Sequence, residues 1–273
     1  MKKRLLLIST IIIILVALIV FIVFSKNKTG PSLLIKQINI GTVSGLVNEA
    51  KDLQSRGNLL EAKSIYQRLI NEYPNSGEVM NWQKKVEELN IKLLFSSIIT
   101  PGSILYDIRP GDTLTKIAKE FKTTPELIRK SNYLSDDKIF PDKKIKVCTA
   151  TFSIVVDKSQ NTLILKTGEE IIKTYIVSTG VNNSTPLGNF KIINKLVSPT
   201  WYKAGVVVSA GSPGNILGSR WLGFDLAGYG IHGTTDPQSL GRQVTQGCVR
   251  MSNSDVEELY SIVPVETEVT IVD

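Results

Sequence analysis

Histidine and cysteine are scarce in these 273 residues: there is one histidine, His232, and two cysteines, Cys148 and Cys248. A single imidazole cannot build the usual multi-histidine zinc site, and no carboxylate pair with a clear role stands in for it. Metal-centred hydrolysis is therefore unsupported, and no metal or cofactor site is read from the chain. Neither cysteine lies near the N-terminus, where it could carry a lipid. Aromatic residues make up 7% and do not interleave with a basic stripe, so the net charge of +7 does not read as a nucleic-acid surface.

A long apolar run opens the chain. After Met-Lys-Lys-Arg, the stretch Leu5 to Phe24 has only Ser9 and Thr10 as polar residues. As a helix it would span about 30 Å, the thickness of a bilayer's hydrocarbon core. It is longer than a signal-peptide core and ends Val-Phe-Ser-Lys-Asn-Lys with no small-residue cleavage site, which predicts an uncleaved transmembrane anchor over residues 1–24. Lysines flank both ends, so charge alone does not orient it. The N-terminal tail is too short to be a domain, and a long following domain is exported largely regardless of its charge, so the bulk of the chain is placed outside the membrane. Residues 1–40 hold six lysines and arginines and no acid, whereas residues 148–273 hold nine basic and eleven acidic side chains. The basic excess thus sits beside the membrane, where it meets anionic headgroups.

Residues 25–40 lack a period and read as a spacer reaching at most about 55 Å. Residues 41–98 read as helices. Leu46, Ala50 and Leu53 form one apolar stripe, and Ala62, Ile65, Tyr66, Leu69 and Ile70 form another that stops at Tyr73-Pro74. A third helix is expected near Glu78 to Phe95. Gly57, Ala62, Tyr66 and Pro74 resemble the turn, packing and stop positions of a single tetratricopeptide-type hairpin. One such repeat cannot bury a solenoid core, so a spacer packed on itself or on a neighbouring domain is preferred to a peptide-binding element.

In residues 104–147 a short strand, Ile104 to Ile108, turns at Arg109-Pro110-Gly111. A helix capped by Asp112 or Thr113 follows, carrying Leu114, Ile117, Ala118 and Phe121. Thr124 and Pro125 open a second helix, and Lys144 to Val147 closes the sheet. This βααβ order resembles the lysin motif (LysM), a peptidoglycan-binding module. The resemblance implies a glycan groove between Gly111, Asp112 and Thr113 on one side and Leu134, Ile139 and Phe140 on the other. The alternative, that these residues cap and pack the module, stands beside it. Asp142 occupies a position where that family usually has glycine.

From residue 151 the chain is β-rich, with alternating Phe152, Ile154 and Val156, then Leu163 and Leu165, then Ile171 to Val177. It leads to the stretch from Tyr229 to Met251, YGIHGTTDPQSLGRQVTQGCVRM, which holds His232 and Cys248. An imidazole that takes the S–H proton makes a thiolate able to attack an acyl carbon. Gly247 lets the backbone turn sharply before the cysteine, so the Gly247 and Cys248 N–H groups could face a developing oxyanion. Cys148 stands at the junction of two domains and reads as an unpaired thiol, in preference to a bond with Cys248 that would remove the nucleophile.

The stretch resembles the signature of the L,D-transpeptidase catalytic domain: His232-Gly233-Thr234, a short loop, then Thr245, Gly247, Cys248, Val249 and Arg250. Ser178-Thr179-Gly180 and Thr185-Pro186-Leu187-Gly188-Asn189-Phe190 resemble the STG and TPxGxF stretches of that family, so the likeness spans 151–273. Val263 to Thr267 lacks the glycine often found in that turn. The resemblance implies a bacterial peptidoglycan cross-linking enzyme in which Cys248 is the nucleophile, His232 the base and the Gly233 carbonyl the group that orients His232. It acts on the bond between residues three and four of a tetrapeptide stem, releasing D-alanine. Arg250, Thr245, Gln246 and Tyr229 are then substrate-side residues. Arg250 suits either a stem carboxylate or the active-site loops, and Thr245 is expected to hold its loop by hydrogen bonding. Gln246 stands where relatives often carry His or Lys, and Trp201 and Trp221 are further candidates for the cleft wall. Water in place of the acceptor amine would give an L,D-carboxypeptidase, and a non-catalytic wall anchor is the competing class. The expected architecture is multidomain and membrane-anchored: a transmembrane helix, a helical hairpin, a LysM module and a β-rich, mixed-sheet, sandwich-like catalytic domain. Its partners are peptidoglycan and membrane, not nucleic acid.

Overall fold

A computed structural model of the chain describes residues 42–203 and 205–273. The expected anchor at Leu5 to Phe24 and the spacer at 25–40 lie outside the described residues. Among the described residues no helix is long and apolar enough to cross a membrane.

Three helices come first: α1 (Val43–Ser55), α2 (Leu59–Glu72) and α3 (Val79–Leu94). Gly57 stops α1 with φ 81°, a left-handed conformation that costs glycine nothing. Ala62 and Tyr66 of the expected hairpin are fully buried, and α2 packs on α3, whose Trp82, Val86 and Leu89 are buried in turn.

The second module is β1 (Ser103–Asp107), α4 (Leu114–Glu120), α5 (Pro125–Ser131) and β2 (Lys144–Cys148), with β1 and β2 antiparallel. The α4 cap is Thr113, whose hydroxyl accepts from the Lys116 N–H at 3.2 Å, and Thr124 caps α5 by accepting from the Leu127 N–H at 2.9 Å. Asp112 instead closes the turn before α4, accepting from the Arg109 N–H at 2.8 Å and the Tyr106 hydroxyl at 3.0 Å. Asp142, the departure from glycine, takes φ 64°, which Asp tolerates better than most residues.

The third module holds β3 (Phe152–Asp157), β4 (Thr162–Thr167), β5 (Glu170–Ile176), β6 (Thr179–Gly180), β7 (Gly188–Val197), β8 (Trp201–Lys203), β9 (Val206–Val208), β10 (Arg220–Phe224), β11 (Gly230–His232), β12 (Gln243–Thr245), β13 (Val249–Arg250), α6 (Asn253–Ile262) and β14 (Glu268–Val272). Eight strands form one mixed sheet in the order β13-β11-β10-β7-β14-β3-β4-β5, parallel at β11/β13 and β3/β14. The expected sandwich of sheets is therefore two halves of a single sheet. The joint is β7, which pairs with β14 over Gly188 to Lys191 and with β10 from Ile192 to Val197. Phe152, Ile154 and Val156 are all buried, as their alternation predicts, and one core gathers side chains from both halves with Val256 and Leu259 of α6.

The helical hairpin and the LysM module are both fastened to this core. Ile91, Leu94 and Phe95 pack against it, and Asn90 Nδ2 donates to the Ile171 and Ile172 carbonyls at 3.1 and 3.2 Å. Leu127 of α5 belongs to the same core, the Thr124 hydroxyl donates to the Ser261 carbonyl, and Lys130 Nζ donates to Ser261 Oγ at 2.8 Å. The spacer reading of the hairpin, packed on a neighbour, fits this docking.

Candidate active site

Register brings the site together. Along the outer half of the sheet, Leu196 pairs with Trp221, Trp221 with His232 and His232 with Arg250. Directly paired residues share a face, so these four side chains form one row across four strands. The adjacent row, Lys195, Leu222, Ile231 and Val249, faces the other way; its apolar members are buried over α6. All four members of the first row line a cleft of about 770 Å³. Cys248, which directly precedes β13, lines the same cleft, together with Tyr229, Thr245, Gln246 and Trp201. The thiol and the imidazole therefore open onto one cavity.

His232 is buried, its ring 6.1 Å from that of Trp221 and nearly parallel to it at 18°. Its Nδ1 lies 2.6 Å from the Gly233 carbonyl oxygen. A carbonyl can only accept, so Nδ1 carries the proton and Nε2 keeps its lone pair. The expected orienting role of the Gly233 carbonyl has this geometry. Burial pushes the imidazole down to about 4; the Gly233 hydrogen bond opposes that shift and the Arg250 charge adds to it. The ring is thus a neutral base through the ordinary pH range.

Cys248 is partly exposed and, like the buried Cys148, is a free thiol, in line with the unpaired reading of Cys148. Burial raises the Cys248 thiol, while a hydrogen bond from the Gly230 backbone and the Arg250 charge lower it. The thiol donates to the Gly228 carbonyl at 3.4 Å. Proton transfer to Nε2 therefore requires the thiol to turn away from Gly228. Hydrogen bonds of this kind commonly tighten only once substrate is bound.

The loop before Cys248 is held by Thr245. Its hydroxyl donates to the Cys248 carbonyl at 2.6 Å and accepts from the Gly247 N–H at 3.2 Å. The expected oxyanion role of the Gly247 N–H would require it to leave this bond with Thr245. Among the described residues the Cys248 N–H has no such partner. Gly247 is needed for shape: its φ is 126°, and a Cβ there would lie 2.7 Å from the Tyr229 ring and 3.1 Å from the Ser184 carbonyl oxygen. Tyr229 thereby backs the loop before Cys248 as well as lining the cleft. Gln246 is exposed at the rim.

The STG and TPxGxF stretches brace this loop from the other side. The Ser178 and Arg250 backbones exchange two hydrogen bonds of 2.8 Å, and the Gly180 N–H donates to Thr185 Oγ1 at 2.7 Å. Asn253, which the sequence reading passed over, opens α6, and its Oδ1 accepts from the Ser219 and Thr234 N–H groups at 3.0 and 3.1 Å. It ties the segment entering β10 to the segment leaving β11 beside Gly233, where any Cβ would strike it. The cap of α6 is Ser252, which accepts from the Asp255 N–H, so helix-capping rules do not single out Asn253.

In the LysM module the anticipated groove residues divide. Gly111, Asp112 and Thr113 are engaged in the turn and cap, the Gly111 carbonyl accepting from Lys116 Nζ at 2.8 Å. Leu134 and Ile139 pack on the module's core. Phe140 is exposed, as is Tyr133, which the sequence reading did not single out.

A neutral imidazole fixed by a carbonyl, a thiol in the same cleft and a braced glycine loop are the groups that nucleophilic acyl transfer requires. Comparison with known proteins carries the assignment further. The L,D-transpeptidase catalytic-domain family matches residues 151–271, and the LysM domain family matches residues 106–147. A putative L,D-transpeptidase, YkuD, of Bacillus licheniformis is 34% identical over 176 residues, covering 62% of this chain and 98% of that one. The putative L,D-transpeptidase YqjB of Bacillus subtilis is 39% identical over 126 residues, covering 44% of this chain and 70% of the other. A solved L,D-transpeptidase from Mycobacterium smegmatis aligns at TM-score 0.40 and 17% identity, over 48% of this chain and 64% of that one. The chain belongs to the L,D-transpeptidase family, whose members act in peptidoglycan cross-linking, and it carries a LysM module ahead of the catalytic domain.

Proposed function

We propose that this protein forms 3-3 cross-links in peptidoglycan through a thioester on Cys248. His232 Nε2 takes the thiol proton, and Sγ bonds to the carbonyl carbon between stem residues three and four. The oxyanion is met by the Cys248 N–H, the C–N bond breaks, and the imidazolium returns its proton to the departing D-alanine amine. The side-chain amine of a neighbouring stem's third residue then attacks the thioester, a C–N bond replaces the C–S bond, and the thiol is restored. The observation that carries this reading is the hydrogen bond between His232 Nδ1 and the Gly233 carbonyl, which leaves a basic nitrogen in the cleft that Cys248 lines. LysM docking on the same core supports a protein that holds glycan while it acts on the attached stems, with exposed Phe140 offering a sugar-stacking surface. The run from Leu5 to Phe24 supports tethering in a bacterial membrane with these modules on its outer face.

The experiment is intact-mass analysis of the full-length protein with a tetrapeptide stem. An adduct equal to the donor minus D-alanine, absent from Cys248→Ala, is the expected result, with cross-linked dimer appearing on addition of acceptor. D-alanine release without dimer marks an L,D-carboxypeptidase. An unmodified wild-type protein that still binds glycan leaves the wall-anchor class.

A further inference from the structure

Between His232 and Cys248 the chain passes through a short turn, Pro237–Ser239, whose last residue joins three segments. Ser239 is buried. Its hydroxyl donates to the Asp236 carbonyl at 2.6 Å and accepts from Arg250 Nη1 at 2.9 Å, while its own carbonyl accepts from Ser178 Oγ at 2.7 Å. The polarity of that hydroxyl is thereby fixed. Its single proton goes to a carbonyl, which can only accept, so its lone pairs are left for a guanidinium, which can only donate. Nε of the same guanidinium is closed off from solvent, so the head group is packed into this loop.

The partner's neutrality has a consequence. A carboxylate in the place of Ser239 would hold the guanidinium but cancel its charge, whereas a serine oxygen holds it and leaves the charge in force. Among the described residues no carboxylate lies within ion-pair distance of Arg250, and Asp236 acts on it only from further away. Arg250 stands two positions past Cys248 along extended chain and is paired across the sheet with His232. Among the described residues that line the cleft, Tyr202 on β8, Tyr229 ahead of β11, His232 on β11 and Arg250 on β13 are the titratable groups around the thiol. Arg250 supplies the fixed charge.

We infer that Ser239 is a positioning residue, which fixes the Arg250 guanidinium beside Cys248 through an uncharged contact and so keeps an uncancelled positive charge next to the sulfur. Burial of Cys248 works against its thiolate, and that charge works for it. Burial and the same charge together disfavour an imidazolium, which leaves His232 free as the base. The bearing on turnover rests on the thioester reading above, whereas the contact itself can be tested without a donor.

The test follows the pH dependence of iodoacetamide alkylation at Cys248, by peptide mapping of the full-length protein, in wild type, Ser239→Ala, Arg250→Met and the double variant. Ser239→Ala should slow alkylation at neutral pH roughly 3–10-fold while leaving the alkaline limiting rate, where all of the sulfur is ionised, unchanged. Arg250→Met should slow the neutral limb at least as much, and adding Ser239→Ala to it should change nothing further. A Ser239→Ala profile that superimposes on wild type, or one that falls equally at both limits, overturns the inference and leaves Ser239 as a brace. So does a double variant slower than Arg250→Met. Ser239→Asp, which grips the guanidinium but cancels its charge, should slow the neutral limb as far as Arg250→Met does; an unslowed neutral limb there overturns the inference even if Ser239→Ala does not fold. Absence of a tetrapeptide adduct in a protein whose alkylation follows the expected order sinks the thioester reading alone, which separates the two failures.

Discussion

Lys146 of the LysM module donates from Nζ to the Leu93 carbonyl at 2.6 Å, and to the Ser96 carbonyl at 2.8 Å, at the end of α3. The last carbonyls of a helix lack intrahelical partners, so a lysine from another module satisfies the terminus of this one. Only 2% of Lys146 remains exposed, and burial lowers its ammonium to about 8. The seam between glycan module and helical hairpin is thus closed by a buried, polar, direction-specific contact.

Replacing Lys146 by Ala should lower stability by roughly 2 kcal/mol, from two stranded carbonyls offset by relief of a buried cation. Because Leu127 and Phe95 both join the catalytic core, the wild type should unfold in urea in one transition. Between pH 8 and 10.5 the unfolded chain holds a proton that native Lys146 has given up, so wild-type stability should rise relative to the variant across that window. Separate transitions for the two modules would contradict the shared core.

His232 gives the opposite end of the pH scale. Its ordinary value is 6.5 and its folded value about 4, so the unfolded chain binds the extra proton between them. Stability that is intact above 6.5 should be lost progressively as pH falls toward 4, on the order of 3 kcal/mol in all. His232→Gln should flatten that part of the profile in equilibrium denaturation, whatever its effect at pH 7. An unchanged slope would mean the imidazole is not held neutral.

The two thiols should react unequally. Cys148 is 4% exposed and burial raises its thiol, whereas Cys248 opens on the cleft. Iodoacetamide should add one equivalent to the native protein, at Cys248 by peptide mapping, and two after denaturation. Cys148→Ala should keep donor turnover within about two-fold, since Cys148 does not line the cleft and the loss of a small buried side chain acts mainly on stability.

Gly247→Ala should cost roughly 2–4 kcal/mol or displace the loop, because φ of 126° and the Tyr229 ring both exclude a Cβ. Acyl-enzyme formation should fall at least about 100-fold, since a 1 Å misplacement near reacting atoms has that consequence. A companion Tyr229→Ala change should recover part of the stability if the clash, and not the dihedral alone, is responsible; no recovery assigns the loss to the backbone.

Much of this molecule is legible from local rules. The caps at Thr113 and Thr124, the stop at Gly57 and the alternation through Phe152, Ile154 and Val156 follow from the chemistry of neighbouring residues, so no partner from elsewhere in the chain is needed to read them. The pattern from His232 to Cys248 likewise resembles a family signature, and the family match over residues 151–271 agrees with that class.

What the tertiary structure alone decided concerns pairings between distant segments. Thr245 and Gly247 are seen to stand before the cysteine from the sequence, yet only the folded loop shows the Gly247 N–H turned inward to the threonine hydroxyl. Asn253 and Lys146 look like ordinary polar residues until the turns and helix ends they satisfy are brought beside them by the sheet. The same holds for the row from Leu196 to Arg250, because register between strands depends on which faces bury together across the whole domain. Local sequence specifies propensities and chemistry; which groups meet is set by the global packing of the core.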